Sequence, residues 1–211
     1  MKPLFTTRAR RGPALCSAEF VACVLIIVGF FGPWVAHKSA ALTVTGYELS
    51  EFAKFFPQVQ RGTAPVKRAL FVTPLLAGAI SLALVVRRSG RGSFLRLGAT
   101  ALAVGLVLFA LPPHQSILEP AYRFQLILVA AGLLTTLLTP LTRQVSERLR
   151  GVLTLLLAVS GAAPAAWQYL LLRPLVANLY GTRVCPAWGL IVCATGLLVL
   201  LLAGMRASHG S

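Results

Sequence analysis

The sequence predicts an all-α protein, a polytopic membrane bundle of six transmembrane helices, and three observations carry that prediction. The first is composition. Of 211 residues, 57% are hydrophobic and only 12% are charged, about half the charged share of an ordinary soluble domain. The mean hydropathy is +0.80. A water-soluble globule needs more polar surface than this, and a disordered chain needs fewer apolar residues. The second is the gathering of apolar residues into six segments, 20–36, 69–86, 97–111, 124–141, 151–172 and 184–205. The third is charge. Twenty Lys and Arg face five acidic residues, a formal charge of +15, and the basic residues form short clusters between the apolar segments, as cytoplasmic loops do.

A spanning helix needs about 20 residues, within a range of about 17–25. The fifth and sixth segments meet this outright, and the first, second and fourth lie near the lower edge. The third is short, with Arg96 before it and Pro112-Pro113 after it. It spans if Arg96 snorkels to the headgroups or the bilayer thins locally. The chain therefore reads as a single membrane domain over 1–211. Its start also has the order of a secretory signal: a basic stretch from Lys2 to Arg11, an apolar run from Phe20, and small residues near Ala36 and Ala40. That apolar run is longer than a signal usually carries and contains Gly32-Pro33-Trp34, so an uncleaved first helix is expected. Cleavage would leave five helices.

Orientation follows from the basic clusters. With both termini cytoplasmic, the inner face holds Lys2, Arg8, Arg10 and Arg11, then Arg87, Arg88, Arg91 and Arg96, then Arg143, Arg148 and Arg150, and finally Arg206. These lie tightly against helix ends, where the bias counts most. The outer cations are more scattered, with Lys38, Lys54, Arg61, Lys67 and Arg68 sharing one long loop. The expected location is the plasma (inner) membrane, multi-pass. In a soluble protein such a charge excess would suggest nucleic acid. No aromatic-plus-basic surface is present to carry that, so the expected partners are membrane lipids, whose anionic headgroups suit basic clusters, and no nucleic acid.

This orientation also places every Trp and Tyr on the outer side. Trp34, Trp167, Tyr169 and Trp188 fall near outer helix ends, and Tyr47, Tyr122 and Tyr180 in outer loops. Such rings favour the interface, having one apolar end and one wet end. They read as a one-sided aromatic belt, or as the lining of an outward-facing site for a ligand or partner, with Trp34, Tyr47, Trp167 and Trp188 as its members.

The longest connection is the outer loop 37–68. It opens on an extended-looking stretch, 41–45, and then Thr45-Gly46-Tyr47-Glu48 fits a capping box. Leu49, Phe52, Ala53 and Phe56 share one helical face, and Pro57 ends the pattern. A short amphipathic helix over about 46–56 is expected, with Glu51 and Lys54 on its wetter side. It would lie on the outer leaflet, pack on the bundle, or act as a lid or docking surface through residues such as Phe52 and Phe56.

Helices associate in lipid through small residues. Gly98, Ala101 and Gly105 form such a stripe on the third helix, and Gly189, Cys193 and Gly196 on the sixth. Gly98, Gly105, Gly189 and Gly196 are therefore expected at helix–helix contacts. On the fifth helix Pro164 removes a backbone donor near Ser160 and Gly161. This marks either a kinked packing face or the broken helix of a transport site.

Catalytic chemistry is sparse. The chain has no Asp, and Glu19 is placed at the inner end of the first helix, within reach of the interface. Glu147 lies among inner arginines, and Glu48, Glu51 and Glu119 lie outside. A proton-coupled carrier, a voltage sensor and an aspartyl protease are thus disfavoured, as is paired-carboxylate chemistry. His37, His114 and Glu119 share the outer side, but no H-x-x-x-H or H-E-x-x-H spacing supports zinc. Cys16, Cys23, Cys185 and Cys193 form no C-x-x-C and read as small packing residues. No Walker-type loop is present. No cofactor and no metal is expected.

Gly32-Pro33-Trp34-Val35 followed by Leu42-Thr43-Val44-Thr45-Gly46-Tyr47-Glu48-Leu49 resembles a pattern in small uncharacterised bacterial polytopic membrane proteins. In these, a first helix ends in P-W and an outer T-G-[YF]-[ED]-L segment follows. Trp188-Gly189 with Gly196 is similar to their last helix. That resemblance covers about a quarter of the chain and implies no activity. Six helices in this length also resemble the substrate-binding subunits of energy-coupling-factor vitamin transporters, and Ala18 and Ala22 have the A-x-x-x-A spacing by which those subunits meet their coupling subunit. No vitamin-site motif accompanies it. The leading expectation is a non-enzymatic membrane subunit, a component or partner of a larger transporter or membrane complex. The alternatives are a small-molecule-binding transport subunit and an intramembrane enzyme using His37, His114 and Glu119.

Overall fold

A computed structural model describes residues 13–37, 42–88, 93–114, 117, 119–140, 146–181 and 184–209. The basic tail 2–11 and residues Lys38, Arg91, Arg143 and Arg183 lie outside it, as do the side chains of Cys16 and His37. Each of the six apolar segments holds a helix: α1 (Pro13–Phe31), α4 (Thr73–Arg88), α5 (Ser93–Phe109), α6 (Arg123–Leu138), α7 (Glu147–Tyr180) and α8 (Trp188–His209). Between them lie β1 (Pro33–His37), β2 (Leu42–Thr45), α2 (Gly46–Phe52), α3 (Pro57–Gln60) and β3 (Cys185–Pro186). Four helical stretches, Arg68–Arg87, Pro120–Leu138, Glu147–Tyr180 and Trp188–His209, are long and apolar enough to cross a membrane. Ala18–Phe31 and Ser93–Phe109 are apolar but shorter.

The first helix ends five residues earlier than its hydropathy suggests, at Phe31. Pro33 supplies no N–H to prolong it, and the chain turns into β1. There it pairs antiparallel with β2 on one side (Val35 opposite Val44, Ala36 opposite Thr43) and with β3 on the other. The order β2-β1-β3 makes a small sheet at one end of the bundle. The sheet marks that end of the bundle, the sheet end. Of this sheet the sequence suggested only the stretch around β2.

The capping box forms as expected. Thr45 Oγ1 accepts from Glu48 N at 3.2 Å, and a Glu48 carboxylate oxygen accepts from Thr45 N at 2.9 Å. The helix is shorter than the expected 46–56. After Phe52 the chain tightens into a 3-10 turn, Ala53–Phe55, and Pro57 opens α3. Leu49, Ala53 and Phe56 are nevertheless all buried, so this apolar face packs on the bundle.

At the centre stands α4. Every residue from Phe71 to Val86 is buried, enclosed by α1, α5, α6 and α7. A helix apolar all round suits a fully enclosed position, as it would suit lipid. The outer helices are built the other way about, with small residues inside and large ones outside. On α7, Gly151, Ala158, Gly161 and Ala165 face inward while Leu156, Val159 and Leu170 face out. On α8, Gly189, Cys193, Gly196 and Gly204 face inward while Ile191, Leu198 and Leu202 face out. In lipid this arrangement maximises backbone approach without a hydrophobic penalty. In water it would leave an apolar patch far larger than soluble monomers tolerate.

The expected glycine contacts divide. A Cβ on Gly196 would sit 2.8 Å from Ala22 O and from Ile26 N of α1, and one on Gly189 would fall within 2.6 Å of the Gly32 and Pro33 carbonyl oxygens. Both are packing glycines. Around Gly98 and Gly105 there is nothing within 4 Å of an added Cβ. This corrects the expectation for those two. On α5 it is Ala103 and Val107 that are buried, and the glycine stripe lies on the opposite side of the helix.

Candidate functional site

The sheet end gathers a set of long-range polar contacts. Its anchor is Trp34, which is 1% exposed. Gly29 would offer its carbonyl to the N–H of residue 33, but that residue is proline and has none. The indole N–H of Trp34 supplies the missing donor, at 3.0 Å from Gly29 O. Phe30 and Tyr169 pack edge-on against the indole. Trp34 is therefore the plug that closes the end of α1 and not a surface contact.

Beside it, Tyr47 is half-buried and tilted on Phe109, with ring centroids 4.9 Å apart. Burial, and secondarily the Glu51 carboxylate and Tyr122, push its phenol above the ordinary tyrosine value. Phe52 and Phe56 pack edge to face at 5.3 Å. By contrast Trp167 and Trp188 are 61% and 54% exposed on the outside of the bundle. The four residues expected to line one outward site thus separate: Trp34 and Tyr47 turn in, Trp167 and Trp188 turn out.

A cluster absent from the sequence reading takes their place. Lys54 Nζ donates to Glu51 Oε2 at 2.7 Å, and Tyr122 Oη lies 3.2 Å from both Glu51 oxygens. The hydrogen bond to Glu51 raises the Lys54 ammonium above its ordinary value. Arg68 lays its guanidinium over the Tyr122 ring, 4.9 Å from the centroid. Lys67 N donates to Gln168 Oε1 of α7 at 2.7 Å, and Gln125 Nε2 donates to Ala110 O at the end of α5 at 2.8 Å. Sequence placed Glu51 and Lys54 on the wet side of α2. The partner 71 positions away carries no local signal.

Three cavities bear on function. One, of about 400 Å³, opens at the sheet end among Val66, Lys67, Arg68, Tyr122, Phe124 and Gln125. A second, about 430 Å³ and apolar, lies between α1, α4 and α5, with Val24, Val28, Phe94, Gly98 and Leu102 on its walls. The third, about 380 Å³, runs between α7 and α8 over Ala158, Ala162, Ala166 and Cys193. The transport-site reading of Pro164 finds a simpler counterpart here. Gly161 O, beside the interrupted ladder, accepts from Thr73 Oγ1 of α4 at 3.2 Å, and an added Cβ on Gly161 would lie 2.7 Å from Ala77 Cβ. On its Gly161 side the prolyl segment packs on α4, and its Ala162, Ala163 and Ala166 line the third cavity.

Glu19 stands at the start of the apolar part of α1, Ala18–Phe31, and is 1% exposed, enclosed by protein one and a half turns into the helix, with Cys23 one turn further on. Among the described residues, no three His, Cys, Asp or Glu gather as a metal site would require. His114 is exposed, and Cys23, Cys185 and Cys193 are free thiols.

Comparison with protein-family models, with curated proteins and with solved structures finds no match. The class of protein therefore rests on the molecule itself. It is a predominantly helical chain with four helices long and apolar enough to cross a membrane, and an apolar outer surface, which together point to a membrane-embedded protein.

Proposed function

We propose that this chain is a non-enzymatic integral membrane subunit, a component or partner of a larger transporter or membrane complex. In this reading all six apolar helices cross the plasma membrane and both termini are cytoplasmic, so that the sheet end faces out. The basic clusters at Arg87, Arg148, Arg150 and Arg206 support that orientation. The length of α7 accommodates it. Its 34 residues extend about 51 Å, some 20 Å beyond the hydrocarbon core, and the excess forms part of the outer cap.

One observation carries the subunit reading: α5 keeps an unused packing face. The glycine face of α8 and the apolar face of α2 are consumed within the fold, as are Gly151 and Gly161 of α7, although Ala163 and Ala166 of α7 line the third cavity. Gly98 and Gly105 of α5 meet no neighbour, and Gly98 borders the apolar groove against α1, with Phe94 89% exposed at its mouth. Glycines that let a second helix approach closely are here left without one.

A photo-crosslinking residue in place of Gly98, used in native membranes, is expected to capture a partner chain, whereas one at Leu134 on the exposed side of α6 is not. Gly98→Leu, which meets open space in the isolated chain, is expected to fold normally and lose that partner. Recovery of the chain alone from native membranes, with no adduct at position 98, would overturn the reading.

A further inference from the structure

We propose that the cavity between the start of the Arg68–Arg87 stretch and the start of α6 binds a phosphate monoanion, in the form of an anionic phospholipid headgroup. The site is independent of the α1–α5 groove. Its walls combine two cations, Lys67 and Arg68, with the aromatic Tyr122, the amide of Gln125 and the apolar side chains of Val66 and Phe124. A phosphodiester has that mixed demand: charge and hydrogen bonds at the head, hydrocarbon immediately below.

One cation is positioned before any ligand arrives, Arg68 stacked on Tyr122, and the chain beside it is anchored because Lys67 N–H donates to the buried Gln168 side chain, while the Lys67 side chain itself is exposed. Tyr122 is in turn steadied by Glu51. The nearby carboxylates do not neutralise the two cations. Glu51 takes Lys54 as its ion partner, and Glu119, just before Pro120, is exposed and off the cavity wall.

Depth agrees with this assignment. Two of the long apolar stretches, Arg68–Arg87 and Pro120–Leu138, begin at this cavity, so it sits where headgroups meet hydrocarbon. Phe124, 45% exposed, is placed to meet the upper acyl chain.

The full chain in maltoside micelles tests this by native mass spectrometry with dihexanoyl phosphatidylglycerol, inorganic phosphate and uncharged dihexanoylglycerol as probes. Phosphatidylglycerol is expected to be retained and dihexanoylglycerol not. Lys67→Gln and Arg68→Gln should each weaken retention roughly fivefold, while Arg61→Gln, an equal charge loss on an exposed turn, stays within about twofold. Lys67 is exposed, so K67Q remains decisive even if R68Q loosens the Tyr122 contact. Competition by inorganic phosphate at concentrations similar to the lipid's would assign the site to soluble phosphate compounds. Absence of such competition assigns it to lipid. Either result upholds the phosphate chemistry. Retention of neither phosphate probe, equal retention of dihexanoylglycerol, or a loss with R61Q matching that with K67Q would overturn it.

Discussion

Replacing Gly196 by alanine adds one methyl group at the tightest kind of contact in this fold. The new Cβ would fall 2.8 Å from Ala22 O, Ile26 N and Ile26 Cγ1. Such contacts settle near 3.5–4.0 Å, so α1 and α8 must part by about 0.7 Å or more. Two of the three atoms are α1 backbone and cannot swing aside as a side-chain tip would. Overpacking of this kind costs about 1–3 kcal/mol. The upper half of that range is expected, because Gly189 meets the end of the same helix just as closely and the separation cannot stay local. Gly98→Ala is the matched control. It meets nothing within 4 Å, and alanine favours helix over glycine by about 0.8–1 kcal/mol, so it should be neutral or stabilising. The two chemically identical changes should thus differ by about 2–4 kcal/mol. Reversible unfolding in mixed micelles, followed by circular dichroism against the denaturing-detergent fraction, reads that difference. Equal stability of the two variants would refute the claim that α1 and α8 touch backbone to backbone.

Thr45→Ala removes half of the capping box and should cost about 0.5–2 kcal/mol, seen as faster amide exchange across Gly46–Phe52 with the bundle's melting unchanged. Thr73→Val deletes a hydroxyl whose one proton is shared between Leu70 O at 2.8 Å and Gly161 O of α7 at 3.2 Å, and should cost about 0.6 kcal/mol in the same mixed-micelle unfolding. Lys54 is raised above 10.5 chiefly by its hydrogen bond to Glu51. A raised cation pKa contributes stability that is complete below the ordinary value and lost as pH climbs through the folded one. The sheet end should therefore loosen above pH 10.5, and Glu51→Gln should abolish that step in an amide-exchange series. In the same variant Tyr47, assigned against Tyr47→Phe, should titrate lower than in the parent protein yet still above 10.0, because burial is the larger cause of its shift.

The helices were legible because hydropathy is a one-dimensional property. The capping box was legible because its two partners lie three residues apart. The burial of Trp34 is hard to see in sequence. Its composition context says interface, but Pro33 takes a donor away from Gly29 O, and the indole folds back to replace it. The only local trace of this is a proline four residues after a glycine. The Glu51–Tyr122 contact and the convergence of Lys67, Arg68 and Gln125 had no local signature at all.

Taken alone, the order of residues determined that this chain makes apolar helices, roughly where each begins, and on which end the aromatic rings collect. Those properties depend on each segment's own side chains and their solvent. Which glycines touch another helix, that α4 runs through the centre, and that Glu19 is enclosed were decided by tertiary structure. A small-residue stripe looks the same on α5 and on α8; only the helices around it determine whether it meets a backbone or open space.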